Sequence, residues 1–158
     1  MRELLAILAA ALATPAGAQD TPDTAQDLAW MSAQQAYLAQ LSREEGWRWM
    51  PGGLKWRYVE YAGSDQSPTV ADNVTLHYEG TLIDGTVFDS SYERGEPANF
   101  PLGRLIRGWQ MVVPEMGVGD TIEVAIPADL AYGPVGRGPI PGGATLLFKI
   151  ELLGIGEE

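Results

Sequence analysis

Apolar side chains recur at every second position in several short stretches of this chain, and that spacing narrows its possible folds most. Val74, Leu76 and Tyr78 share one face of the stretch from Val74 to Gly80. Ile122, Val124 and Ile126 do the same from Thr121 to Pro127, and Leu146, Phe148, Ile150 and Leu152 from Ala144 to Leu153. Leu54, Trp56 and Tyr58 repeat the pattern in Leu54–Tyr61. A period of two puts one set of side chains on a single face of a strand, so each stretch presents an apolar face to a core. Nineteen glycines and eleven prolines supply turns between such strands and disfavour a helix bundle.

The punctuation between strands follows. Asp84-Gly85 predicts a two-residue hairpin of type I′, with Val87 and Phe88 opening the returning strand and Asp89-Ser90-Ser91 ending it. Residues 92–97 form a charged excursion closed by Pro97, and Phe100 and Leu102 resume a short strand. Leu105-Ile106-Arg107-Gly108-Trp109 is predicted as the first turns of a short helix, with Ile106 and Trp109 on one face and Pro114 near its end. The indole serves either a core or the floor of an apolar pocket. From Ala131-Tyr132-Gly133 to Pro141-Gly142-Gly143 runs a long Gly/Pro loop, and in a compact domain a loop of that length usually carries function. About five mostly antiparallel strands and one short helix over their apolar face make an α+β fold.

The N-terminal part has a different character. Residues 1–18 are ordered as a secretory signal peptide: Arg2, an apolar run from Leu4 to Ala13, then Ala16-Gly17-Ala18 as an A-x-A cleavage site. The apolar run is too short to span a bilayer of about 30 Å. Export to the periplasm with no membrane insertion after cleavage is the expectation. Residues 19–50 then comprise a polar N-terminus and an amphipathic helix over 27–45, with Leu28, Met31, Gln35, Leu38 and Leu41 at helical spacing and Gly46 as its stop. That helix packs on the domain, pairs with a second subunit or holds a client. The segment Trp47–Pro51 is too aromatic for a linker and is expected to be buried.

Chemistry is limited by what the chain lacks. A formal charge of −11 and a pI near 4.4 oppose nucleic acid and anionic membrane as partners. Without cysteine there is no thiolate metal site or cysteine nucleophile, and His77 is the single histidine, placed on the polar face of its strand with Thr75 and Glu79. No P-loop and no G-x-S-x-G occurs. A concentration of aromatics remains: Tyr78, Phe88, Phe100, Trp109, Tyr132 and Phe148. Phe100 and Phe148 suit core and pocket wall alike, whereas Tyr78 and Tyr132 carry hydroxyls that need partners when buried and so suit a rim.

Several ordered motifs together resemble the FKBP-type peptidyl-prolyl cis-trans isomerases. They are Val74–Tyr78 with Gly85 and Phe88-Asp89-Ser90-Ser91, then Leu105–Trp109, Ala131-Tyr132-Gly133 and Ala144-Thr145-Leu146-Leu147-Phe148. The entry Pro51-Gly52-Gly53-Leu54 is similar to that of the exported bacterial branch. The resemblance implies an isomerase domain over 51–158, built as a five- to six-stranded antiparallel sheet wrapped around one short helix. It implies Trp109 as the floor under a prolyl ring, with Tyr78, Phe88 and Phe148 as walls. The Ile106 backbone N–H would meet a substrate carbonyl, and Asp89 and the Tyr132 hydroxyl would be polar rim groups. Leu105, Phe100 and Ile140 would contact substrate, and Arg94 would orient Asp89. Proline-containing polypeptides would be the substrates and FK-type macrolides candidate inhibitors, with no cofactor or metal. A chaperone or peptide-binding module with little isomerase activity is the alternative.

Three departures from the family bear on specificity. Ala98 stands where many members have an aromatic, the Gly103–Leu105 connection is short, and the 133–143 loop differs in length with Arg137 near a position often held by histidine. The helix over 27–45 is too short for the long dimerising stalk of some exported relatives, which leaves a monomer or a small homodimer.

Overall fold

A computed structural model describes residues 24–156 of the chain; the predicted signal peptide of residues 1–18 lies outside them. The order is helix α1 (Thr24–Gln40), β1 (Arg48–Trp49), β2 (Lys55–Glu60), β3 (Asn73–Thr81), β4 (Val87–Ser90), α2 (Ser91–Arg94), β5 (Ala98–Pro101), α3 (Arg107–Val112), β6 (Thr121–Ile126) and β7 (Leu146–Ile155). The strands form one antiparallel sheet in the order β1-β2-β6-β7-β3-β4. β5 also pairs with β3, along Asn73–Leu76, while β4 pairs with Glu79–Thr81 of the same edge. The sheet is therefore six positions across although it has seven strands. The architecture is the α+β class expected, a sheet folded over one short helix.

Alternation decides what faces that helix. β3 alternates between buried and half-buried positions along its length, and Leu146, Phe148, Ile150 and Leu152 of β7 are all buried. These side chains join Ile122, Val124, Ile126 and the α3 residues Trp109 and Val112 in one core. α3 lies close against β6 because residue 108 is glycine: a Cβ there would stand 2.5 Å from Ile126. The helix begins at Arg107, not at Leu105 as the spacing predicted. Ile106 is its N-cap, extended at ψ 152°, and Leu105 lies before it. Pro114 sits in the tight turn Val113–Glu115 that follows, where the proline ring is tolerated.

Two further expectations need correction. Asp84-Gly85 is not the centre of a two-residue turn. The Gly85 N–H donates to the Leu82 carbonyl at 3.0 Å, which makes Ile83-Asp84 the central pair and Gly85, at φ 90°, the left-handed residue after them. The Asp84 carboxylate accepts from the Thr86 N–H at 2.9 Å and favours this longer loop. Helix α1 ends at Gln40, ahead of a separate tight turn at Arg43–Glu45, and the predicted face packs on the domain only at its C-terminal end, at Leu38 and the following Leu41. Leu28 and Met31 are 62% and 54% exposed, whereas Trp30, Gln34, Tyr37, Leu38 and Leu41 turn toward the domain. Large aromatic residues and one hydrogen-bonded amide outweigh two aliphatic side chains.

α1 covers the side of the sheet opposite α3. Leu41, Trp47 and Ala125 form a second buried cluster with Tyr37, Leu38 and Leu147 packed on it. Its C-terminal carbonyls are satisfied by a side chain from the sheet. Lys55 is only 8% exposed, and its Nζ donates to the carbonyls of Leu38 at 2.6 Å and Leu41 at 3.0 Å. Trp47 is buried as expected, but Trp49 is 43% exposed and is stacked by Arg43 and Lys55.

Candidate functional site

The aromatic side chains singled out in the sequence come together as a continuous bowl over α3. Tyr78 from β3 meets Trp109 edge-on, with ring centroids 5.4 Å apart at 84°. Trp109 meets Phe148 of β7 at 5.2 Å and 90°, and Phe148 meets Phe88 of β4 at 5.5 Å and 88°. Phe100 of β5 adjoins Tyr78 at 6.0 Å. The three edge-to-face contacts fix ring orientation as well as position, each contributing about 0.5–1.5 kcal/mol beyond burial, and the Phe100 contact is tilted at 50°. Trp109 and Tyr78 have no exposed surface and Phe148 is 2% exposed, so they form the bottom. Phe88, Phe100 and Tyr132 are half-buried and form the more exposed edge of the bowl.

Alternation along the strands accounts for the bowl. Tyr78 and Phe148 are inward positions of β3 and β7, and Gly80 of β3 is paired with Phe148. No sequence motif assigns Gly80 a role. A Cβ at that position would stand 2.4 Å from Phe88 and 2.7 Å from Phe148, so glycine is what lets both rings lie over β3. The positional signal was a glycine at an inward place in a strand otherwise well alternated.

A polar triangle stands beside the rings. The Tyr78 hydroxyl donates to Asp89 Oδ2 at 2.5 Å, Arg94 Nη1 donates to Asp89 Oδ1, and Arg94 Nη2 donates to the Tyr78 hydroxyl at 2.9 Å. The turn α2 makes this possible. Ser90 caps it by accepting from the Glu93 N–H, and Gly95 ends it at φ 76°, which returns Arg94 over Asp89. Ser91, also unassigned from sequence, locks α2 to β3: its Oγ accepts from the Tyr78 N–H at 2.7 Å and lies 2.8 Å from His77 Nδ1. His77 itself stacks on Tyr92 with ring centroids 4.7 Å apart, outside the bowl. Burial, and then the bond to Asp89, pushes the Tyr78 hydroxyl well above the ordinary tyrosine range, so it remains a donor.

The remaining residues close the rim. Leu105, Ile106 and Ile140 bury their side chains in the main core at 2%, 1% and 3% exposure. The Ile106 carbonyl accepts from the Trp109 and Gln110 N–H groups, while its own N–H donates to no described residue. Gln110 steadies this entry by donating from Nε2 to the Leu105 carbonyl at 2.7 Å. The Tyr132 hydroxyl is buried and has no partner among the described residues, and burial raises its pKa far above the usual value. Trp109 Nε1 is likewise buried and unpartnered. The arrangement is an apolar bowl edged by N–H and O–H donors that have no partner among the described residues, suited to holding an apolar ring beside an amide carbonyl.

Comparison with protein families matches residues 64–153 to the family described as FKBP-type peptidyl-prolyl cis-trans isomerase. Among curated proteins, the chain is 47% identical over 119 residues to the FKBP-type peptidyl-prolyl cis-trans isomerase FkpA of Aeromonas hydrophila, covering 75% of this chain and 44% of the relative. It is 45% identical over 122 residues to the outer membrane protein MIP of Legionella longbeachae, covering 76% and 52%. The chain thus spans about half the length of the curated relatives it matches. The crystal structure of FkpA from Escherichia coli superposes with a TM-score of 0.78 at 38% identity, covering 84% of this chain and 62% of that one.

Proposed function

The chain belongs to the FKBP-type peptidyl-prolyl cis-trans isomerase family, and on that premise we propose that it accelerates rotation about X–Pro bonds in exported polypeptides. The observation carrying this reading is the unbroken aromatic series Phe100–Tyr78–Trp109–Phe148–Phe88, edge-to-face from Tyr78 to Phe88 and tilted between Phe100 and Tyr78. Beside it stand the Ile106 N–H, unpaired among the described residues, and the buried Tyr132 hydroxyl.

The chemistry needs no nucleophile. An X–Pro amide resists rotation by roughly 18–20 kcal/mol because resonance keeps it planar. The planar form is the more charge-separated, and water stabilises it; an apolar bowl removes that solvation and so favours the twisted form. Phe88 and Phe100 receive the prolyl ring above the buried Trp109. The Ile106 N–H donates to a substrate carbonyl, which fixes the chain on one side of the bond while the other turns. The Tyr132 hydroxyl offers a second donor across the rim. Asp89 does not transfer a proton here: it is bonded to both Tyr78 and Arg94, and its role is to hold the Tyr78 wall. Only contacts that are stronger to the twisted amide than to the planar one accelerate rotation, and each tenfold in rate requires about 1.4 kcal/mol of that difference.

Export is supported by the charged, apolar and A-x-A order of residues 1–18. Among the described residues no helix is long and apolar enough to cross a membrane. We assign the mature protein to the periplasm, as a monomer or small homodimer, which light scattering distinguishes. The decisive experiment is an isomerase assay on peptides with varied residues before proline. Acceleration over buffer, suppressed by an FK-type macrolide competing for the bowl, is expected. Rates equal to buffer across the panel would sink the isomerase reading and leave peptide binding as the function.

A further inference from the structure

Helix α1 reaches the rim of the bowl, and the chemistry of rotation gives it no task. Two hydrogen bonds make the connection. The Trp30 indole N–H donates to the Gly142 carbonyl at 3.0 Å. Gln34 Oε1 accepts from the Thr145 N–H at 2.8 Å, and this second bond is buried. The Trp30 ring also lies against residue 143, where an added Cβ would stand 3.5 Å from Nε1.

Gly142, Gly143 and Thr145 form one side of the neck of the 133–143 loop. The Gly143 N–H donates across that neck to the Gly133 carbonyl at 2.9 Å. Gly133 directly follows Tyr132, and the Gly136 N–H returns to the Tyr132 carbonyl at 3.2 Å. Further out, Arg137 and Ile140 exchange two backbone bonds of 2.9 Å each, which holds Ile140 inward. A contiguous path therefore runs from α1 through Gly142 and Thr145, over the Gly143–Gly133 bond, to Tyr132.

Gln34 is an expensive way to pack a helix. It is 4% exposed, and its Nε2 has no partner among the described residues. For packing alone an aliphatic side chain would serve better, since a buried donor without an acceptor is destabilising. What the glutamine supplies is an acceptor for the Thr145 N–H, immediately ahead of the strand that carries Phe148.

We propose that Trp30 and Gln34 are positioning residues of the isomerase site, clamping the neck of the 133–143 loop so that Tyr132 and Ile140 stand at the rim of the bowl. The inference rests on the isomerase reading. Because Trp109 and Phe148 are set by the core and Tyr132 by the loop, releasing the clamp weakens capture of substrate more than rotation once bound.

Three variants of the full chain test this. Trp30→Phe keeps the ring and removes the N–H. Gln34→Leu removes the acceptor. Leu41→Ala, in the second cluster with Trp47 and Ala125, is a control for simple loosening of α1. Hydrogen exchange of residues 133–145 is followed by mass spectrometry, alongside kcat and KM on an X–Pro peptide. The two clamp variants are expected to speed exchange about tenfold and to raise KM about three- to tenfold with kcat nearly constant, while Leu41→Ala lowers Tm without either effect. The proposal is overturned if the clamp variants exchange and bind like the parent, or if Leu41→Ala does the same as they do. Should Gln34→Leu fail to fold, Trp30→Phe decides. A parent chain without isomerase activity defeats the isomerase reading instead, and the exchange data still judge the clamp.

Discussion

Asp89 is the carboxylate acceptor of the polar triangle beside the bowl. Its carboxylate is 7% exposed and accepts from both Tyr78 and Arg94, whose own side chain is 23% exposed. Asp89→Ala leaves a guanidinium and a phenol without their acceptor in a partly buried place. Discounting for the exposed part of Arg94, we expect a loss of about 2–3 kcal/mol in urea unfolding. The Tyr78 wall loosens with it, so kcat/KM should also fall. Gly80 makes the complementary test. Gly80→Ala forces a methyl into the space of Phe88 and Phe148, and overpacking of that kind costs about 1–3 kcal/mol. Isomerase activity should drop beyond what the unfolded fraction explains; unchanged kcat/KM would mean that the two rings are not part of the binding surface. Asp89, Phe88 and Trp109 were legible from sequence because the motifs around them are local. Gly80 was not, because its meaning depends on two rings from other strands.

At the scale of elements, α1 is held to the sheet by Lys55 as well as by its aromatic face. Lys55→Met removes a cation from the helix C-terminus and two hydrogen bonds to carbonyls, and the expected cost is about 2 kcal/mol. The last turn should fray, seen as lost helical ellipticity and altered Trp49 fluorescence, with kcat/KM within about twofold of the parent because the loop contacts lie elsewhere on the helix. An unchanged unfolding midpoint would show that the carbonyls are satisfied equally well by water. The existence of this helix followed from spacing, as did the inward placing of Leu38 and Leu41, but the rest of its buried face did not. Leu28 and Met31 suited the periodic pattern as well as Trp30 and Tyr37 do, and only the surface that receives the helix distinguishes the two choices.

Across the whole molecule, tyrosine burial sets how stability responds to alkali. Tyr37, Tyr58, Tyr78, Tyr92 and Tyr132 all have raised pKa values, burial being the largest cause in each, with Tyr92 pushed up to about 12. In the unfolded chain a tyrosine releases its proton near 10.0. A folded pKa above the unfolded one means that the folded state holds more protons between the two values. Stability is therefore fully present below pH 10 and declines as pH rises above it. Urea unfolding at pH 8 and pH 11 should show a clear fall, with phenolate absorbance appearing together with unfolding. A midpoint that stays constant over that interval would mean that these hydroxyls are open to solvent.

What the sequence determined by itself was the longer strands β2, β3, β6 and β7, most of their inward members, and the local motifs that carry the aromatic residues; the short β1 was not among them. Alternation with period two and Gly/Pro punctuation are local signals, and they survive without knowledge of neighbours. The tertiary structure decided the rest: that Asp84 is central to the hairpin turn with Gly85 after it, that Ile106 caps α3, that Gly80 makes room for Phe88 and Phe148, and that Trp30 and Gln34 meet the rim loop. Each depends on residues far apart in the chain or on which of two hydrogen-bond partners is closer. Such choices are settled by packing and by pairing of buried polar groups, and neither is written in the period of a single segment.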